Sequence, residues 1–181
     1  MAVDEISTVR SERIWTYAMV AVAAVMLVAI VHAGIAQHFG TPSNSIETVD
    51  PNTLHLAGEF VSENLGTRVG LDGKITTRVV TTQFAFAPDC VVVPQHMQVT
   101  LRAASPDVLH GLMIMGTNVN TMVVPGYVSQ VHTVFDKTGE MLMPCHEFCG
   151  LGHSQMVARV RVVPLEDFQP DEQGRVSCAD R

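Results

Sequence analysis

Charge is scarce in this chain. Only 16% of its 181 residues are Asp, Glu, Lys or Arg, against 47% that are hydrophobic, a balance that calls for a membrane segment before any window is drawn. Basic residues are scarcer still, 11 against 18 acidic ones, for a formal net charge of −7. That argues against a nucleic-acid partner, which needs a basic surface, and leaves room for a basic protein partner. Tryptophan occurs once, at Trp15. Neither an internal repeat nor a low-complexity segment interrupts the chain, so solenoids and arrays are excluded.

The scarcity of charge is concentrated at one place. Residues 1–13 are polar, and Ile14 to Ala36 then run without a single Asp, Glu, Lys or Arg. About 20 apolar residues cross a bilayer core as a helix. Trp15 and Tyr17 fall where an interfacial aromatic belt belongs, and Lys and Arg lie only before the stretch until Arg68. The positive-inside rule therefore puts the N-terminus in the cytoplasm and the rest of the chain outside. Gly34-Ile35-Ala36 has the small residues of a signal-peptidase site, but the apolar run exceeds the usual ~7–15 residues of a signal peptide. The expectation is an uncleaved single-pass anchor over 14–36.

Turn formers dominate 37–73, which reads as a connector. From Lys74 the pattern becomes short β-branched runs. Ile75–Thr82, Val91–Val93, Val99–Ala103, Leu109–Ile114, Val128–Phe135, Glu140–Met143 and Val157–Val163 all read as strands. Turns fall at Ser105-Pro106-Asp107, Pro125-Gly126 and Lys137-Thr138-Gly139. The spacing predicts an all-β sandwich or barrel over 74–165, followed by a loose polar tail over 166–181.

The chemistry is concentrated in Pro144–Met156, which reads PCHEFCGLGHSQM. Cys145, Cys149, His153 and Met156 make a soft ligand set that selects copper, zinc or an iron–sulfur cluster over magnesium or calcium. Gly150 and Gly152 let such a loop fold its side chains inward. Methionine is a poor zinc ligand, and a blue-copper site uses one cysteine. A second cysteine in the same loop suggests two metals sharing two sulfurs.

The pattern C-x-E-x-C-G-x-x-H-x-x-M resembles the dinuclear copper (CuA) loop of subunit II of haem-copper respiratory oxidases. Asp107-Val108-Leu109-His110 matches the D-V-x-H strand that carries that family's further histidine, and Gly116–Asn120 and Val123–Val128 also resemble it. The likeness is nearest to b-type oxidases, whose subunit II has one membrane helix. It implies a cupredoxin Greek-key domain behind an N-terminal transmembrane helix. It also implies two copper ions held by His110, Cys145, the carbonyl of Glu147, Cys149, His153 and Met156. In many relatives the Glu147 side chain would also reach a magnesium ion at the junction with subunit I. His146 is expected near or on the surface, and Phe148 under the loop.

The activity implied is that of an electron-transfer subunit of a cytochrome-c oxidase. Electrons would come from a soluble carrier, cytochrome c or a small blue copper protein, and pass to haem in subunit I for reduction of O2 to water. Relatives often receive electrons at a Trp-rich stretch that this chain lacks, so Phe86 or Phe84 is expected to line that surface. Glu12-Arg13-Ile14-Trp15 resembles the E-K-x-W start of the b-type helix, where the glutamate opens a proton path. The alternative is a copper subunit of a membrane nitric oxide reductase, which the spectrum of the whole complex would distinguish. Quinol-oxidase subunits lack the copper ligands, and the chain is too short for nitrous oxide reductase. With two cysteines assigned to copper, Cys90 and Cys178 remain; a disulfide in an oxidising compartment is the alternative, and two unpaired thiols are the favoured expectation.

Overall fold

The computed structural model describes residues 5–36 and 46–178. Helix α1 runs Glu5–Ala36, and its stretch Thr8–Ile35, with a mean hydropathy of 2.5, is long and apolar enough to cross a membrane. Ile14, Trp15, Tyr17, Val20 and Leu27 are all exposed around it. A helix apolar on every side suits lipid rather than a half-wet protein surface. The expected span of 14–36 lies inside a longer helix that already includes Glu12. The helix and the remainder of the chain are separate compact units, Met1–Phe39 and Gly40–Arg181.

The second unit is built of strands. β1 (Gly66–Val69), β2 (Ile75–Thr82), β3 (Ala85–Ala87), β4 (Cys90–Pro94), β5 (Gln98–Ala104) and β6 (His110–Met113) come first. β7 (Asn120–Val123), β8 (Ser129–Val134), β9 (Gly139–Pro144), β10 (Val157–Val163) and β11 (Arg175–Val176) follow. One sheet has the order β11-β1-β2-β5-β8 with β3 also on β2, a second has β4-β10-β9, and β6 and β7 form a hairpin. Two pairings are parallel, β2 with β5 and β4 with β10.

Alternation explains the packing. Along β10 the side chains of Ala158, Val160 and Val162 are buried and those of Val157 and Arg159 exposed, the period of two that puts one face of a strand in the core. Val79 and Val99 of the first sheet meet Val91, Val93 and Val160 of the second in one cluster, with Phe135 and Met143 among them. At about 1.5–3 kcal/mol for each fully buried aliphatic or aromatic side chain, this cluster is the main source of the domain's stability. The arrangement is a cupredoxin-like β-sandwich, as expected.

Three expectations need correction. The connector over 37–73 contains β1, and Leu54 and Phe60 are buried against Val80 and Ala104 in a second small cluster. Glu59 in that segment pairs with Arg78 at 3.0 Å and with Arg102, tying the segment to β2 and β5. Burial works to raise the carboxyl of Glu59, but the hydrogen bonds and charges of Arg102 and Arg78 outweigh it and hold it below the usual range. The tail is not loose either: Thr67 and Arg68 of β1 pair with Val176 and Arg175 of β11. Finally, Cys90 and Cys178 form a disulfide, with a sequence separation of 88. They are not unpaired thiols.

Candidate metal centre

The loop Cys145–Met156 is the connection between β9 and β10, which pair antiparallel from Val157↔Pro144 onward. Its ends are pinned where the Cys145 N–H donates to the Met156 carbonyl at 2.9 Å. The sheet therefore fixes the first cysteine and the methionine side by side, although eleven positions separate them in sequence. A turn at Gly150–His153 brings the intervening residues back, with the His153 N–H bonded to the Gly150 carbonyl at 3.1 Å.

The sixth donor comes from outside the loop. His110 opens β6 and is fully buried, and the residue after it is a glycine. A Cβ at Gly111 would stand 2.7 Å from the Glu147 backbone nitrogen and 3.0 Å from the backbone of His146. Only glycine lets the strand lie this close to the loop.

Six donor atoms converge as a result. The Cys145 and Cys149 sulfurs are 3.8 Å apart. Cys145 Sγ lies 3.9 Å from His110 Nδ1 and 3.3 Å from the Glu147 carbonyl oxygen. Cys149 Sγ lies 3.6 Å from His153 Nδ1 and 3.7 Å from Met156 Sδ. Both cysteines are buried and unpaired, and Met156 is buried as well. His110, Cys145 and Cys149 alone offer three donor atoms within 4.8 Å of one another.

Electrostatics follow from this crowding. Burial pushes the Cys149 thiol up to about 11, and the neighbouring Cys145 sulfur adds to the effect. Two thiolates at this distance in a dry site need a cation between them. The donor set fits copper: two sulfurs able to ionise, two imidazole nitrogens and a thioether are soft or borderline ligands, and only the single carbonyl oxygen is hard. Asp107 stands behind His110, its Oδ1 accepting the Nε2 hydrogen at 2.9 Å. Burial works to raise the Asp107 carboxyl, but hydrogen bonds from His110, the Gln83 and Val108 N–H groups and Ser105 hold it below the usual range.

All six expected ligands are thus brought together. His146 is exposed, as expected for a residue near or on the surface. Of the two phenylalanines expected at the surface, Phe86 does not line it, being 4% exposed and part of the main core, whereas Phe84 is exposed. Phe148 does not pack under the loop either. It is 75% exposed, with its ring centroid 5.8 Å from that of His153. The carboxylate of Glu147 lies 3.9 Å from His146 Nδ1. Sequence reasoning missed the role of Asp107, although its place three residues before His110 was visible. It also missed Gln83, which no motif marks.

The family described as "Cytochrome C oxidase subunit II, periplasmic domain" matches residues 76–163. A cytochrome c oxidase subunit 2 from Thermus thermophilus is 32% identical over 139 residues, which is 76% of this chain and 83% of that protein. A second from the same species is 34% identical over 121 residues, 67% of this chain and 90% of that one. A chain from a cryo-EM structure of a heme-copper terminal oxidase dimer shares the fold, with a TM-score of 0.60 at 24% identity. The match covers 85% of this chain and 99% of that chain. On the strength of the two Thermus matches, the chain belongs to the cytochrome c oxidase subunit 2 family.

Proposed function

We propose that this chain is the copper-bearing, electron-accepting subunit II of a respiratory haem-copper oxidase. The observation that carries the reading is the set of donor contacts on the two cysteine sulfurs. His110 and Met156 would hold one copper and His153 with the Glu147 carbonyl the other, both sharing Cys145 and Cys149. Each sulfur touches one donor of each set: Cys145 touches His110 and Glu147, and Cys149 touches His153 and Met156. That is what two bridging thiolates require. When bound, the copper pair supplies one-electron relay from a soluble carrier, cytochrome c or a small copper protein, to haem in subunit I, where O2 is reduced to water.

The protein's own part is to hold the ligands still and dry. With six donors supplied by the protein, such a site would leave no open ligand position for a substrate, in contrast to a catalytic metal site. Asp107 fixes the ring of His110 so that Nδ1 faces the sulfur, and such outer partners orient metal-binding histidines generally.

Helix α1 anchors the chain in the membrane with the copper domain on the periplasmic side, and the N-terminus faces the cytoplasm. Electrons arrive at the edge of His153, where exposed Phe148 and Leu151 offer an apolar landing surface. The Glu147 carboxylate reaches a magnesium ion only if subunit I supplies the remaining ligands. Glu12 gathers protons at the cytoplasmic mouth of the helix, since an ionisable group there marks a functional position.

Metal analysis with electron paramagnetic resonance on the purified full chain tests the reading. Two coppers per chain sharing one unpaired electron is the expected result. One copper with a single-copper hyperfine pattern would overturn it.

A further inference from the structure

The turn between β2 and β3 reaches both arms of the metal centre at once. The backbone N–H of Gln83 donates to Asp107 Oδ2 at 2.7 Å, while Asp107 Oδ1 takes the Nε2 hydrogen of His110. The side-chain amide of the same residue, through Nε2, donates to the carbonyl of Cys149. The next residue closes over the loop. A Cβ on Gly152 would stand 2.5 Å from Phe84 Cγ, and one on Gly150 would stand 2.9 Å from Phe84 Cε1 and 3.0 Å from Gln83 Nε2. The Phe84 ring therefore lies directly on the two loop glycines.

We infer that Gln83 is a positioning residue for the copper centre, joining the strand that carries His110 to the loop that carries Cys149. The physical reason lies in where the ligands originate. Five donors travel together on one hairpin loop, and the sixth sits on another strand, with Asp107 in the bend just before it. Cross-links between the two arms include Gly111, whose carbonyl accepts the His146 N–H at a long 3.4 Å. Gln83 adds two further links, one to each arm, from a single residue. Its main chain holds the acceptor that orients His110, and its side chain holds the carbonyl of the residue that carries a sulfur. Loosening the side-chain link lets the loop move relative to His110, which changes the distances a metal would have to bridge. Outer groups of this kind are worth ~10–100-fold in metal affinity.

This inference rests on the copper reading, and its test separates the two. Gln83→Met keeps the length of the side chain and the backbone N–H but removes the donor. Gln83→Glu keeps shape and polarity but sets a carboxylate against the Cys149 carbonyl. In the full chain loaded with copper, both variants should lose metal to a competing chelator ~10-fold faster than wild type or more. Both should also alter the paramagnetic hyperfine pattern. In the metal-free chain, both should raise exchange of the His153 amide, which is bonded within the loop, while amides of β10 keep their protection. Copper retention within twofold of wild type, with an unchanged spectrum in both variants, would overturn the inference. So would an equal rise in exchange across β10, since that is a general loss of fold. A wild-type chain that takes up no copper sinks the copper reading alone, and the amide measurement still decides whether Gln83 holds the loop.

Discussion

His110 gives its Nε2 hydrogen to Asp107 and turns Nδ1 toward the Cys145 sulfur, at 2.9 Å and 3.9 Å respectively. One carboxylate thereby selects which ring nitrogen faces the metal site. Asp107→Asn keeps the size of the side chain but removes the charge and one acceptor oxygen. Copper should dissociate ~10–100-fold faster from this variant. Chelator competition followed at the copper absorption band checks the rate. The carboxyl of Asp107 sits below its ordinary range, so its contribution to stability is complete at neutral pH. That contribution is lost only as pH falls through the lowered value.

The paired sulfurs make a prediction with the opposite sign of pH dependence. Cys149 is raised to about 11 from 9.0, so above pH 9 the folded metal-free chain keeps a proton that the unfolded chain gives up. Stability of the metal-free form should be full below about pH 9 and decline as pH climbs toward about 11. Denaturant titrations across that window check it, and Cys149→Ser should flatten the decline. Metal capture must displace the same proton, so copper uptake should weaken toward acid. Changing either cysteine to Ser should abolish the shared-electron spectrum. Met156→Leu, which removes a weak donor, should keep copper and shift the potential.

Electron uptake at the His153 edge is tested at Phe148. Phe148→Ala removes an exposed ring beside that histidine and should slow reduction by the donor at unchanged copper content, measured by stopped flow over a range of salt. Phe86→Ala should behave differently, because it empties a core site. Its cost is about 3–5 kcal/mol of stability. Equal rates for wild type and Phe148→Ala at every salt concentration would move the docking surface elsewhere.

The disulfide closes a loop of 88 positions. On the chain-entropy account a loop of that length contributes about 4–5 kcal/mol. Replacing Cys90 and Cys178 together with Ser should lower the thermal midpoint while leaving copper stoichiometry at its wild-type value. Loss of copper in that double variant at a temperature where it is folded would show that the bond also shapes the centre.

Glu12→Gln keeps the side chain's shape and removes its titratable group. In the assembled oxidase this variant should turn over more slowly while the donor reduces the copper domain at the normal rate. Full turnover at normal assembly would remove Glu12 from the proton path.

The candidate metal site was legible in the sequence because five of its proposed donors fall within one loop, so chain proximity stood in for spatial proximity. His110 was found only by resemblance, since nothing in its own strand points at the loop. Longer strands announced themselves through β-branched runs, as β2 and β10 did. β7 and β11 did not, because a strand of two to four residues owes its existence to a partner. β11 forms only where β1 offers it an edge. The Cys90–Cys178 bond was hidden for the same reason: β4 pairs with β10, the tail doubles back along β1, and no local pattern encodes that meeting. Phe86 was misread because the resemblance asks only for an aromatic residue at the surface, and a three-residue strand is too short for alternation to show which residue is buried.

The parallel pairing of β4 with β10 sets a timetable. Val91 lies beside Val160, so the middle strand of that sheet must wait for a partner laid down much earlier in the chain. Contacts of such long sequence separation form slowly, on scales of milliseconds to seconds in β-rich domains. The ligand arms themselves are local. β10 pairs with β9 across the ligand loop alone, so Met156 reaches its place beside Cys145 by a short-range contact, and His110 sits on a hairpin closed by β7. What waits for distant chain is the burial of these two hairpins against β4 and the first sheet, the step that takes the donors out of water.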